Sequence, residues 1–137
     1  MIEVKSHRLD GIQVLIVDDN ADALELLIVM LKNAGATVQN SHNAGEAYEI
    51  LQQWEPDIIV SDLHMPDQDG HAFMKRIRGR SKEDGGQIPA IAITGYGPED
   101  RVTAFRSGYQ SYIRKPIEAE ELIVTIASLT LGIHGKS

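Results

Sequence analysis

Three stretches of this 137-residue chain, IQVLIV (Ile12–Val17), DIIVS (Asp57–Ser61) and IPAIAI (Ile88–Ile93), carry runs of consecutive apolar residues instead of alternating ones. A strand that is apolar on both sides has to be covered on both sides, which is the situation of a parallel sheet clad by helices on its two faces. Two weaker strands, Ala36–Asn40 and Gln110–Ile113, complete a set of five. Pro89 then belongs near the start of its strand, where a missing N–H does least harm.

Each strand is followed by a segment with helix punctuation. Asn20 or Asp22 can cap ADALELLIVMLKNA, which stops at Gly35, and Ser41 or Asn43 opens a helix that runs through Trp54 and is broken by Pro56. Gln68–Gly79 puts Phe73, Met74 and Ile77 on one side, and Arg80–Gln87 is a polar loop. Pro98 starts a helix that Gly108 ends, and Glu118–Leu131 carries Leu122, Ile126 and Leu129 at helical spacing. Strand then helix, five times over, predicts an α/β domain built on a doubly wound parallel sheet. Right-handed crossovers leave few topologies open to it.

The length suits one domain, predicted to span 12–131, with a polar leader over 1–11 and a tail over 132–137 outside the core. A content of 42% hydrophobic residues supports a packed core, and the net charge of −7 opposes non-specific binding to nucleic-acid phosphates. The absence of cysteine excludes disulfides and thiolate metal sites and suits a reducing, cytoplasmic setting. No run approaches the about 20 apolar residues of a membrane-spanning helix. The opening MIEVKSHRLDG has no apolar signal segment, so no membrane partner is expected.

In a parallel sheet all carboxyl ends lie along one edge. Asp18 and Asp19 follow the first strand, Asp62 the third, Thr94 the fourth and Lys115 the fifth. In the strand order 2-1-3-4-5 the first and third strands are neighbours at the switch point where open α/β sheets bind ligands. Carboxylates converging there repel one another, and a hard divalent cation relieves this; oxygen ligands of this kind favour Mg²⁺. A carboxylate oxygen can attack phosphorus to give an aspartyl phosphate, with Lys115 as a point charge and the Thr94 hydroxyl as a donor to phosphoryl oxygens. Taken singly, each residue has a plain explanation: a helix cap, a turn, a strand-end hydroxyl, a solvated amine. Their arrival together at four strand ends is what points to a phosphoryl-accepting cleft.

The stretches LIVDDN (Leu15–Asn20), SDLHMPDQDG (Ser61–Gly70), AITGYG (Ala92–Gly97) and YIRKP (Tyr112–Pro116) resemble the response-regulator receiver family, over roughly Ile12–Leu131. The resemblance implies a flavodoxin-like (βα)5 fold with strand order 2-1-3-4-5. It implies Asp62 as phosphoacceptor, taking a phosphoryl group from a phosphohistidine of a histidine kinase or histidine phosphotransfer domain. Asp19 and Asp62 would bind Mg²⁺ directly, Asp18 through water, and His64 through its backbone carbonyl. Thr94 and Lys115 would contact the phosphoryl group, and the Lys115–Pro116 bond would be cis. Thr94 and Tyr112 would form the switch, biasing the face made by helix four, strand five and helix five between two states. That face also offers a route to a homodimer. Such a domain is a signalling module, assisting only its own phosphorylation and dephosphorylation, and is not otherwise an enzyme.

Beside this core, His64 and Tyr96 are predicted to line the cleft and to slow the approach of water to the acyl phosphate. The His64 side chain itself reads as a solvated loop residue rather than a metal ligand. The first helix is apolar over more than one face (Leu24, Leu26–Leu31), either from ordinary burial or as a docking surface for a helical bundle. Three other functions compete. A phosphatase with an aspartate nucleophile wants a second Asp where His64 stands. A flavodoxin-like nucleotide or flavin binder wants a phosphate loop where Asp18-Asp19-Asn20 would repel phosphate. A receiver-like binding module without phosphotransfer has no use for an intact Asp62 and Lys115. GIHGKS, after Leu131, is too short for an output domain, so the chain reads as a stand-alone receiver or one excised from a hybrid kinase.

Overall fold

The computed structural model describes residues 8–65, 69–95 and 97–134, with Pro98 and the last four described by backbone alone. Strands β1 (Gln13–Val17), β2 (Thr37–Ser41), β3 (Ile58–Asp62), β4 (Ala90–Thr94) and β5 (Ser111–Arg114) form one parallel sheet in the predicted order 2-1-3-4-5. Helices α1 (Ala21–Asn33), α2 (Ala44–Gln53), α3 (Gly70–Arg78), α4 (Pro98–Ser107) and α5 (Ala119–His134) follow the strands in turn, with one 3₁₀ turn at Lys82–Asp84. This is the flavodoxin-like (βα)5 arrangement.

The consecutive apolar residues of the inner strands divide between two cores, because neighbouring side chains leave a strand on opposite faces. Val14, Ile16, Ile58, Val60, Ile91 and Ile93 pack with Leu24, Leu27 and Leu31 of α1 and Leu122 and Ile126 of α5. Leu15, Val17, Ile59, Ala90 and Ala92 pack on the other face with α2, α3 and Ala104 of α4. The edge strand β2 buries only Ser41 completely, which is why its sequence lacks the apolar run of its neighbours.

Helix punctuation largely follows the predicted residues. The Asn20 side chain, not Asp22, caps α1 by accepting from the Ala23 N–H at 2.9 Å. Asn43, not Ser41, caps α2 in the same way through the Glu46 N–H. Gly35 follows α1 at φ +99°, a left-handed backbone that lets Gly35 and Ala36 donate back to the Lys32 and Leu31 carbonyls.

Most element boundaries shift by a residue or two from the sequence reading, and some shifts have a clear physical cause. β3 and β4 each run one residue further, because the backbones of Asp62 and Thr94 still pair with Ile93 and Arg114 while their side chains leave the end of the sheet. α3 begins at Gly70, since the Asp69 carboxylate accepts from the Ala72 N–H and caps it there; Gln68 lies outside the described residues. α5 continues to His134, into the segment predicted as tail. Leu9, assigned to the leader, is fully buried in the α1–α5 core, and its N–H donates to the Ala34 carbonyl at 2.8 Å. Arg8 beside it pairs with Glu120 on α5 at 2.8 Å.

Candidate functional site

The parallel register levels Val17 with Ser61 and Asp62 with Ile93, so the residues at these strand ends open onto one edge of the sheet. Asp18 and Asp19 leave β1 there, Asp62 is the last residue of β3, and Lys115 follows β5. A cleft at this edge is lined by Asp19, Asn20, Asp62, His64, Gly95 and Lys115. Among the described residues, Asp18, Asp19 and Asp62 each offer a carboxylate oxygen, and these oxygens lie within 4.8 Å of one another.

The three carboxylates are not equivalent. Asp18 is buried and Asp19 exposed, while Asp62 is buried to all but 6% at the cleft floor. Burial pushes the Asp18 carboxyl up; its hydrogen bond from the Asn20 N–H, at 2.9 Å, works against this, and the charge of Asp62 adds to it. Asp62 Oδ1 accepts the His64 N–H at 3.1 Å. The Lys115 ammonium lies 3.5 Å from Asp62 Oδ2 and 3.8 Å from Asp18 Oδ2, its reach set by a chain held just past β5. The Lys115–Pro116 peptide bond is cis. An all-oxygen, multiply charged donor set of this kind fits a hard divalent cation and does not fit a soft one.

Gly70 brings the start of α3 against the end of β3. Its N–H donates to the Leu63 carbonyl at 2.9 Å, and its carbonyl accepts the hydroxyl of buried Tyr109 at 2.8 Å. A Cβ at this position would collide with the Asp62 carbonyl oxygen and the Leu63 Cα. Only glycine therefore fits where the helix must approach the acid-bearing strand end.

Thr94 and His64 share a partner on α4. The Thr94 hydroxyl is buried and donates to Asp100 Oδ2, in the first turn of α4, at 2.9 Å. The His64 imidazole is not a free loop group: its Nε2 lies 2.8 Å from the same Asp100 oxygen. Asp100 went unremarked in the sequence, where an acid two residues after Pro98 reads simply as a favourable first-turn charge. Tyr96 lies outside the described residues. Tyr112 is half-buried on β5 beside a groove lined by Arg101, Phe105, Arg114 and Glu121. On α1, Leu24, Leu27 and Leu31 face the core and leave Leu26 and Val29 about half exposed, at 52% and 51%. No helix among the described residues is long and apolar enough to cross a membrane.

Comparison with known proteins agrees with this geometry. Residues 14–127 match the family described as the response regulator receiver domain. An uncharacterized 14.6 kDa protein of Leptolyngbya boryana is 42% identical over 120 residues, covering 87% of this chain and 90% of that one. The DNA-binding dual master transcriptional regulator RpaA of Synechocystis is 30% identical over 85% of this chain, which spans 48% of that regulator's length. Among solved structures, the receiver domain of the sensor histidine kinase PA1611 from Pseudomonas aeruginosa is 28% identical with a TM-score of 0.79, covering 89% of this chain and 98% of that one. That structure has a magnesium ion coordinated in its active-site cleft.

Proposed function

The chain belongs to the response-regulator receiver domain family, and from that premise we propose that it is a phosphorylation-switched signalling domain with Asp62 as phosphoacceptor. The reading is carried by one observation: three carboxylates and one ammonium, from the ends of three strands, meet at a single cleft, with Lys115 Nζ 3.5 Å from Asp62 Oδ2.

An Asp62 carboxylate oxygen attacks the phosphorus of a partner's phosphohistidine. The new O–P bond forms as the P–N bond breaks, and the electron pair leaves with the imidazole nitrogen, which takes a proton from solvent. Lys115 moves its charge from Asp62 to an incoming phosphoryl oxygen, and the Thr94 hydroxyl supplies a second contact. Asp19, Asp62 and the His64 carbonyl would hold Mg²⁺, with Asp18 contributing through water. When bound, the ion offsets the charge gathered on the phosphoryl oxygens. The partner is a histidine kinase or a histidine phosphotransfer protein, and exposed Leu26 and Val29 on α1 offer an apolar contact for its helical bundle. Movement of Thr94 toward the phosphoryl group biases the α4–β5–α5 face through Tyr112, a population shift rather than a new fold.

The test is incubation with a small-molecule phosphodonor and Mg²⁺, followed by intact mass. One added phosphate, absent in Asp62→Asn, is the expected result. No uptake by the unaltered chain would discard the reading in favour of a binding module.

A further inference from the structure

Thr94 has one hydroxyl proton, and Asp100 takes it. Its acceptor, Asp100 Oδ2, lies 2.9 Å away in the first turn of α4. An ionised carboxylate can only accept, so the hydroxyl donates its single proton there and has none to offer a phosphoryl oxygen while this bond stands. The same Asp100 oxygen takes a second hydrogen bond at 2.8 Å from His64 Nε2, which must carry a proton to face a carboxylate. Burial pushes the Asp100 carboxyl up, but the hydrogen bonds from His64 and Thr94 outweigh it and hold the group below its ordinary value. His64 thus fixes the carboxylate from the β3–α3 loop, and the carboxylate fixes Thr94 from α4.

The helix bearing Asp100 is weakly anchored. Among the described side chains of α4 only Ala104 and Ser107 are buried, while Val102 and Phe105 are exposed at 51% and 44%. Its N-cap, Gly97, offers no side-chain hydrogen bond. A second polar tie joins Ser107 Oγ to His71 Nδ1, at 3.1 Å near the far end. A helix with so few buried groups sits at the low-stability end of a fold, where one charge-assisted hydrogen bond weighs heavily.

We propose that Asp100 is a positioning residue that restrains Thr94 in the resting domain, so that phosphoryl uptake on Asp62 proceeds by breaking the Thr94–Asp100 bond and thereby loosens the first turn of α4. The inference rests on Asp62 being the phosphoacceptor. It supplies a direct link from the cleft to α4 in addition to the one through Tyr112.

The test follows uptake from a small-molecule phosphodonor with Mg²⁺ by intact mass, in the full chain and in Asp100→Ala, Asp100→Asn, Thr94→Ala and Thr94→Ala/Asp100→Ala. Freeing the hydroxyl in Asp100→Ala should raise the uptake rate roughly three- to tenfold, the worth of an ordinary net intramolecular hydrogen bond. Asp100→Asn keeps a neutral acceptor for Thr94 and should give a smaller rise; if Asp100→Ala does not fold, this variant carries the comparison, and an unchanged rate overturns the proposal. Equal acceleration in Asn and Ala variants would mean that only the negative charge mattered, and would also overturn it. In the Thr94→Ala background, Asp100→Ala should change nothing, and an acceleration there would show that Asp100 acts without Thr94. Failure of the unaltered chain to take up phosphate would reject the phosphoacceptor reading and this proposal with it. Uptake by the unaltered chain at the same rate as Asp100→Ala would reject this proposal alone.

Discussion

Lys115 Nζ stands 3.5 Å from Asp62 Oδ2 and only a little further, 3.8 Å, from Asp18 Oδ2. One ammonium thus faces two carboxylates from different strands, and it is partly open to solvent. Such a cation is placed to leave one carboxylate for a new anion without the whole cluster rearranging. Lys115→Met should therefore slow phosphate uptake by about tenfold or more, the worth of a lost contact between a cation and a phosphoryl oxygen. Lys115→Arg keeps the charge but replaces a point donor with a planar fork, and should fall in between. Uptake measured by intact mass checks both; a Met variant as fast as the unaltered chain would remove Lys115 from the mechanism.

Asp18 is almost wholly buried next to two other carboxylates, and burial pushes its carboxyl up. A buried charge held beside like charges opposes folding. Asp18→Asn keeps an oxygen for the Asn20 N–H and removes the charge, so without divalent cations the variant should be more stable by about 1 kcal/mol in urea. Adding Mg²⁺ should reverse the order. At a concentration 100 times its dissociation constant, a ligand binding only the folded state stabilises it by about 2.7 kcal/mol, and the variant should lose most of that gain. Urea midpoints with and without Mg²⁺ test the crossover, and equal Mg²⁺ stabilisation of both proteins would refute it.

Gly70→Ala would place a Cβ against the Asp62 carbonyl and the Leu63 Cα, both backbone atoms of the strand end. Neither can swing aside as a flexible side chain would. The expected loss is about 1–3 kcal/mol of stability, typical of forcing a methyl group into a filled space. Because the strain falls on the strand end carrying Asp62, phosphate uptake should slow in the folded fraction as well. Denaturant unfolding together with the uptake assay separates the two effects.

Strand order and the gathering of Asp18, Asp19, Asp62 and Lys115 were legible because both follow from chain direction: every strand of a parallel sheet ends on the same edge. Asp100 was not legible. Its pairing with Thr94 and His64 joins a helix, a strand end and a loop through side-chain directions that no periodicity encodes. Leu9 was missed for a different reason: a single apolar residue among Ser6, His7, Arg8 and Asp10 makes no pattern, yet it fills space between α1 and α5. Leu9→Ala should consequently cost about 2–5 kcal/mol, as for other buried leucines. A residue in a dispensable leader would cost almost nothing, and a thermal or urea midpoint distinguishes the two.

The start of α2 provides a pH dependence remote from the cleft. Asn43 Oδ1 accepts the Glu46 N–H at 2.9 Å, while Glu46 Oε1 accepts the His42 N–H at 2.8 Å and lies 3.3 Å from His42 Nδ1. This reciprocal arrangement is a variant of the capping box, displaced by one residue. The backbone hydrogen bond from His42, then its imidazole, holds the Glu46 carboxyl below its ordinary value of 4.5. The unfolded chain thus binds more protons than the folded one between the lowered value and 4.5, and stability rises with pH across that window. The contribution is complete above pH 4.5 and is lost as pH falls through the folded-state value. Glu46 is exposed, so screening limits it to about a few tenths of a kcal/mol. Glu46→Gln keeps an acceptor and removes the charge. Its urea midpoint should therefore lie below that of the unaltered chain at neutral pH and converge with it in acid, whereas a constant gap at both would show that the carboxylate charge plays no part.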